Sequence, residues 1–152
     1  MKKVLFVCLG NICRSPTAEA IFRKYSNGHS QKWHFDSAGT SGNHVGEKSD
    51  HRSIRHAEKR GYEMTHLARQ FQVEDFHEFD FIFTMDKSNF QNVIKLAPKE
   101  HQTKVRMVTD LCQKQHDGLV PDPYYGGPSD FELVIDLLED AAHSFFNREH
   151  AK

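Results

Sequence analysis

The chain has 152 residues, a net charge of −1 and 27% charged residues. That is long enough for one well-packed domain, and it sets up no overall field to draw the chain to nucleic acid or an anionic membrane. No apolar run reaches membrane-spanning length, and three cysteines, an odd number, do not suggest a secreted disulfide scaffold, so the expected compartment is the cytoplasm.

Behind the basic Met1-Lys2-Lys3, the run Val4 to Val7 is short, β-branched and aromatic, the pattern of a strand covered on both faces. It breaks at Gly10-Asn11, residues suited to a hard turn, which marks it as a first strand and not a leader peptide. Ser15-Pro16 then reads as a helix entry, Ser as cap and Pro as a first helical residue, followed by Thr17 to Lys24. A strand feeding a loop that ends at a helix N-terminus is an anion site, because the loop amides and the helix dipole point the same way.

This loop carries Cys8 at its entrance and Arg14 at its exit. A thiolate is a strong nucleophile when its pKa is pulled down, which a helix N-terminus and a nearby arginine both do. Arg14 can grip two phosphate oxygens in a fork that lysine cannot reproduce. Ser15 is placed to donate its hydroxyl to the Cys8 sulfur. The chemistry inferred is phosphoryl transfer from a monoester to sulfur, followed by hydrolysis.

Further along, Trp33 to Ser37 alternates as a strand, closed by the turn Ala38 to Gly42. Asp50 reads as the cap of a helix from His51 to about Arg60, stopped by Gly61 and basic on its solvated face. Phe79 to Thr84 is a core strand, Asp86 caps a helix through Leu96, and Val105 to Val108 is a fourth, shorter strand. Ser129 caps a last helix whose buried face comprises Phe131, Leu133 to Ile135, Leu137, Leu138 and Phe145. Strands alternating with helices predict an α/β fold, a three-layer α/β/α arrangement around a mostly parallel sheet, with the Cys8 loop at a topological switch point.

Asp122 lies in a Pro/Gly-rich loop, Asp122-Pro-Tyr-Tyr-Gly-Gly127, over a hundred residues from Cys8. An alkoxide or phenolate leaves poorly without a proton, so the chemistry needs a carboxylic acid near the leaving oxygen. Asp122 fits, although an Asp before Pro also initiates ordinary turns.

The run Val7-Cys-Leu-Gly-Asn-Ile-Cys-Arg-Ser-Pro16 with Ala18-Glu19-Ala20 resembles the signature loop of the low-molecular-weight protein tyrosine phosphatases. The likeness continues through Asp36 to Thr40, His66 to Gln70, Met85 to Asn89 and Asp122 to Tyr125, nearly the whole chain. It implies a single domain over residues 1–152 with four parallel strands ordered 2-1-3-4. The implied activity is hydrolysis of phosphotyrosine through a cysteinyl-phosphate, on a phosphotyrosine-containing protein substrate. In that scheme Cys8 is the nucleophile, Arg14 the phosphate clamp, and Asp122 the acid and then the base. Leu9, Gly10, Asn11, Ile12, Cys13 and Ser15 surround the phosphate or another oxyanion. Tyr124 and Tyr125 line the pocket, and Asn43 stands where many relatives place an aromatic wall. Ser37 holds Asn11 from behind, and His66 orients the loop.

No cofactor is implied, and no His or Cys pair has zinc-like spacing, so no metal is assigned. Cys13 is placed to trap an oxidised Cys8 as a disulfide. An arsenate reductase of the same fold would place a redox cysteine pair after the central strand, where this chain has Met85-Asp86-Lys87. A phosphotyrosine-binding module without turnover is a third reading, against which Cys8, Arg14 and Asp122 all stand.

Overall fold

The computed structural model describes residues 1–151. Its sheet has four strands in the order β2-β1-β3-β4: β1 Lys2–Cys8, β2 Trp33–Gly39, β3 Phe81–Thr84 and β4 Val105–Met107. Every pairing is parallel, with Val4 opposite both Phe35 and Phe81. The helices are α1 Arg14–Tyr25, α2 His51–Lys59, α3 Asp75–Glu78, α4 Lys87–Leu96 and α5 Pro128–Ala151, with 3₁₀ turns flanking β4.

The alternation along β1 sorts its side chains onto two covered faces. Val4, Phe6 and Cys8 join a cluster with Phe22 of α1 and Ile135, Leu138 and Phe145 of α5. Leu5 and Val7 point the other way, toward Phe76, Ile82 and Val93. Phe6 and Phe22 meet at 4.6 Å between centroids with planes 57° apart, one of the tilted arrangements aromatic rings favour. Cys8, the last residue of β1, is thus carried on the face that α1 covers.

The strand order places the ligand site. The chain runs from β1 out to β2 and then crosses to β3 on the far side of β1, so the crevice beyond the carboxyl ends of β1 and β3 is a switch point. The loop from Leu9 to Cys13 lies there.

Four local readings of the sequence are corrected. Helix α1 begins at Arg14, with Cys13 as a cap that makes no side-chain hydrogen bond, so Ser15 is inside the helix and is not its cap. Ser15 is drawn away from capping by the buried partners described below. Helix α5 begins at Pro128, which puts Ser129 in the first turn, and proline fills the opening helical position as its fixed φ favours. Strand β3 starts at Phe81, because Asp75–Glu78 forms a short helix and Asp80 spends its carboxylate on the Lys3 amide at 2.8 Å. Leu133, expected on the buried face of the last helix, is 43% exposed.

Candidate active site

A pocket of about 240 Å³ opens at the end of β1. Its floor and walls include Cys8, Leu9, Gly10, Ile12, Cys13 and Arg14 from the loop, together with Asn43, His44, Asp122, Tyr124 and Tyr125. Loops far apart in the chain therefore converge on one cavity. Asn11 and Ser15 do not line it; both are fully buried behind the loop, and their side chains work from beneath.

The sulfur of Cys8 lies 3.0 Å from Ser15 Oγ and receives the Asn11 amide at 3.3 Å. Among the described residues, no backbone acceptor takes up the N–H groups of Gly10, Ile12 and Cys13. With α1 uncapped by any side chain, the loop and the first turn of the helix keep a set of donors for an anion.

Asn11 holds this shape. Its φ of 59° is left-handed, a conformation asparagine tolerates better than most residues with a side chain. All four hydrogen-bonding positions of its side chain are filled. Nδ2 donates to Ser15 Oγ at 2.8 Å and to Ser37 Oγ at 3.0 Å. Oδ1 accepts from the Arg69 amide at 2.9 Å and from His66 Nε2 at 2.7 Å. The Arg69 N–H can only donate, so it fixes which end of Asn11 is oxygen, and His66 Nε2 must then be a donor. Ser15 accepts from Asn11, and its own hydroxyl lies nearer the Cys8 sulfur, at 3.0 Å, than its other acceptor, the Ala38 carbonyl, at 3.4 Å.

Behind this lock lie groups that local sequence reading did not single out. Ser37 Oγ donates to Glu19 Oε1 at 2.8 Å, and His66 Nδ1 faces Glu19 at 3.1 Å and Asp36 at 3.4 Å. Arg69 ties Asp36 to Asp75, with bonds of 3.0 and 3.1 Å. Ligand-type atoms of Glu19, Asp36 and His66 lie within 4.8 Å of one another, but they already serve Ser37, Arg69 and the ring itself. Gly39 permits the close approach of β2: a Cβ there would stand 2.7 Å from the Leu9 carbonyl.

Arg14, 3% exposed, is fixed by Asp86 Oδ2 at 2.7 Å and the Val120 carbonyl at 3.0 Å, both through Nη1. Its Nη2 lies 3.8 Å from Asp122 Oδ2. Burial alone would lower its pKa, but the Cys8 sulfur, Asp86 and Asp122 outweigh it and push the guanidinium up. Asp86 had been legible only as a helix cap, and it is one: it accepts from the Asn89 amide at 2.8 Å within a reciprocal capping box. The same carboxylate orients Arg14, a pairing across 72 positions that no local pattern carries.

Asp122 is 45% exposed at the pocket mouth, and its Oδ1 accepts the Tyr124 amide at 3.0 Å. Tyr124 and Tyr125 meet edge to face with centroids 5.0 Å apart, Tyr125 almost wholly exposed. Burial pushes the Cys13 thiol up to about 12, with Ser53 pulling the other way.

Residues 3–152 match the low molecular weight phosphotyrosine protein phosphatase family. The chain belongs to that family. A Synechocystis protein assigned as a low molecular weight protein-tyrosine-phosphatase is 51% identical, over 91% of this chain and 90% of that one. The human low molecular weight phosphotyrosine protein phosphatase is 40% identical, over 98% and 96%. A protein tyrosine phosphatase from Entamoeba histolytica, crystallised with Hepes in its active site, superposes with a TM-score of 0.96 at 40% identity, over 99% and 98%. The phosphatase is therefore a hydrolase working through a cysteinyl-phosphate, and its four parallel strands in the order 2-1-3-4 are the family's fold. Among the described residues no helix is long and apolar enough to cross a membrane.

Proposed function

We propose that Cys8 is the nucleophile, Arg14 the phosphate clamp and Asp122 the proton donor and acceptor in hydrolysis of phosphotyrosine on a protein substrate. The observation that carries the assignment is the placement of the three around one cavity. Cys8 sits at its floor, and Arg14 Nη2 reaches to within 3.8 Å of the Asp122 carboxylate at its mouth.

A phosphate seated on the loop presents its phosphorus to the sulfur, its non-bridging oxygens to the Gly10, Ile12 and Cys13 amides and to Arg14, and its ester oxygen outward. The S–P bond forms as the P–O bond to the phenol breaks, and Asp122 delivers its proton to the departing oxygen. Arg14 and the amides meet the charge that spreads over the phosphoryl oxygens, where preorganised donors act most strongly. In the second half Asp122, now a carboxylate, takes a proton from water as that water attacks phosphorus and the thiolate leaves. The Ser15 hydroxyl, 3.0 Å away, stabilises that leaving sulfur.

The tyrosines at the mouth favour an aryl group on a stalk long enough to clear them, hence phosphotyrosine over phosphoserine. The net charge of −1 supports a protein substrate over a nucleic acid, and three unpaired thiols support a reducing, cytoplasmic setting. The test is hydrolysis of p-nitrophenyl phosphate against pH, without added metal, for wild type, Cys8→Ser and Asp122→Asn. Abolition by the first, a sharp loss in the second and a bell-shaped wild-type profile are expected. Tight oxyanion binding without wild-type turnover would reject the assignment.

A further inference from the structure

A second cleft, of about 300 Å³, lies beside the catalytic pocket between α2 and the start of α5. His51, Arg52, Arg55 and His56 form one side; the Gly126–Pro128 turn and Phe131 form the other. Among the described residues the lining itself holds no carboxylate, the nearest being Asp130, which accepts the Gly127 amide at 2.8 Å, and Glu132, which pairs with His56. Arg52 is the partition. Its guanidinium carbon stands 5.4 Å from the ring centre of Tyr124, which lines the catalytic pocket, and 4.8 Å from that of Phe131, which lines the cleft. Asp50 locks it there, accepting from Nε at 3.1 Å and Nη2 at 2.9 Å. A polypeptide with its phosphotyrosine in the first cavity reaches the second by passing over Arg52.

The charge in the cleft is only partly spent. Arg52 is compensated by Asp50, and His56 by Glu132 while its ring stacks on Phe131 at 5.6 Å. Arg55 and His51 are exposed, and neither side chain makes an ion pair or hydrogen bond with the described residues. An uncompensated guanidinium at the rim of a cavity that shares a wall with the active site is positioned to select an anion.

We propose that this cleft is an anion-binding subsite that takes the carboxylate of an acidic residue flanking the phosphotyrosine in the substrate polypeptide, with Arg55 as the selecting charge. The proposal rests on the phosphatase reading above and adds a substrate preference to it. Pairing at an exposed rim is modest and salt-sensitive, so the effect lies in kcat/KM at low ionic strength.

The experiment compares two phosphotyrosyl peptides, flanked by glutamates or by alanines, with p-nitrophenyl phosphate as a probe that has no flanking chain. Wild type should turn over the glutamate peptide with a kcat/KM about three- to fivefold higher, a gap that closes near ~0.5 M salt. Arg55→Ala should erase the difference and Arg55→Glu should invert it, both variants hydrolysing p-nitrophenyl phosphate at the wild-type rate. Equal use of the two peptides by wild type, or a preference that survives Arg55→Glu, would overturn the subsite. A preference confined to a peptide with a second phosphate would replace the carboxylate with a phosphoryl group and overturn it as stated. Failure of wild type on p-nitrophenyl phosphate would instead sink the phosphatase assignment, and the subsite with it.

Discussion

The hydroxyl of Ser15 stands 3.0 Å from the sulfur of Cys8, nearer than its other acceptor, the Ala38 carbonyl at 3.4 Å, and Asn11 Nδ2 donates to its oxygen at 2.8 Å. A hydrogen bond to a charged sulfur contributes about 1.5–3 kcal/mol, ten- to a hundredfold in rate if it acts in the transition state. Ser15→Ala should lower kcat by that factor. The larger part should fall on breakdown of the cysteinyl-phosphate, where sulfur is the leaving group. Rapid-quench measurement of the phosphoenzyme checks this: the intermediate should accumulate in the variant.

Asp122 faces both solvent and Arg14, and the Tyr124 amide orients its carboxylate at 3.0 Å. Positioned proton transfer contributes about 10²–10⁴-fold, and most for poor leaving groups. Asp122→Asn should therefore cost phenyl phosphate far more than 2,4-dinitrophenyl phosphate, whose phenolate needs no proton. A series of aryl phosphates graded in leaving-group pKa measures the steepening directly.

The buried lock predicts a different signature. Asn11→Ala removes four hydrogen bonds and strands Ser15, Ser37, His66 and the Arg69 amide, and it leaves a left-handed φ to a residue that resists it. Both stability and activity should fall, the first by about 2–4 kcal/mol. His66→Gln, which keeps a donor for Oδ1, should lose less than His66→Ala on both counts. Urea unfolding and kcat, measured on the same preparations, separate the two variants.

How much of this was legible in the sequence follows from the reach of each interaction. The strand, turn and helix around Cys8 are written in consecutive residues, and the parallel α/β layout follows from alternating strand and helix patterns. Asp122 stood out in its Pro/Gly-rich loop, but an Asp before Pro also starts ordinary turns, and the resemblance is what singled it out as a proton donor. Ser15 reads as a cap because a serine before a proline is a good local cap signal; its contact with Cys8 was legible, but the Asn11 bond that also holds it inside the helix becomes visible only once the loop is folded. Asp86, Glu19, Asp36 and Arg69 were missed for a related reason. Asp86 meets Arg14, Glu19 meets Ser37, and Arg69 joins Asn11 to Asp36, pairs 18 to 72 positions apart of which periodicity carries no record.

Asn43 lines the pocket opposite the tyrosine loop, exposed, with its amide held by Ser41 Oγ at 3.0 Å. An aromatic ring at this position would give an aryl phosphate a second face to stack on, at about 0.5–1.5 kcal/mol. Asn43→Trp should lower KM for p-nitrophenyl phosphate about three- to tenfold and leave the pH profile unchanged, since no acid or base is touched. An unchanged KM would mean that the residue does not touch bound substrate.

Cys13 shares the pocket with Cys8, and burial pushes its thiol up to about 12 from an ordinary 9.0. Mild peroxide should convert the Cys8 thiolate to a sulfenic acid, which Cys13 then attacks, expelling water and closing a disulfide between the two. The attacking species is the Cys13 thiolate, and because its pKa is raised that form is scarce at neutral pH. Closure should therefore be slow at pH 7 and accelerate about tenfold per pH unit on the way up toward 12, whereas an unperturbed thiol would level off near 9. Peptide mapping by mass spectrometry after timed peroxide exposure at pH 7, 8 and 9 reads both the bridge and its rate. In Cys13→Ser the bridge should be absent and Cys8 should proceed to sulfinic acid, with phosphatase activity no longer restored by dithiothreitol.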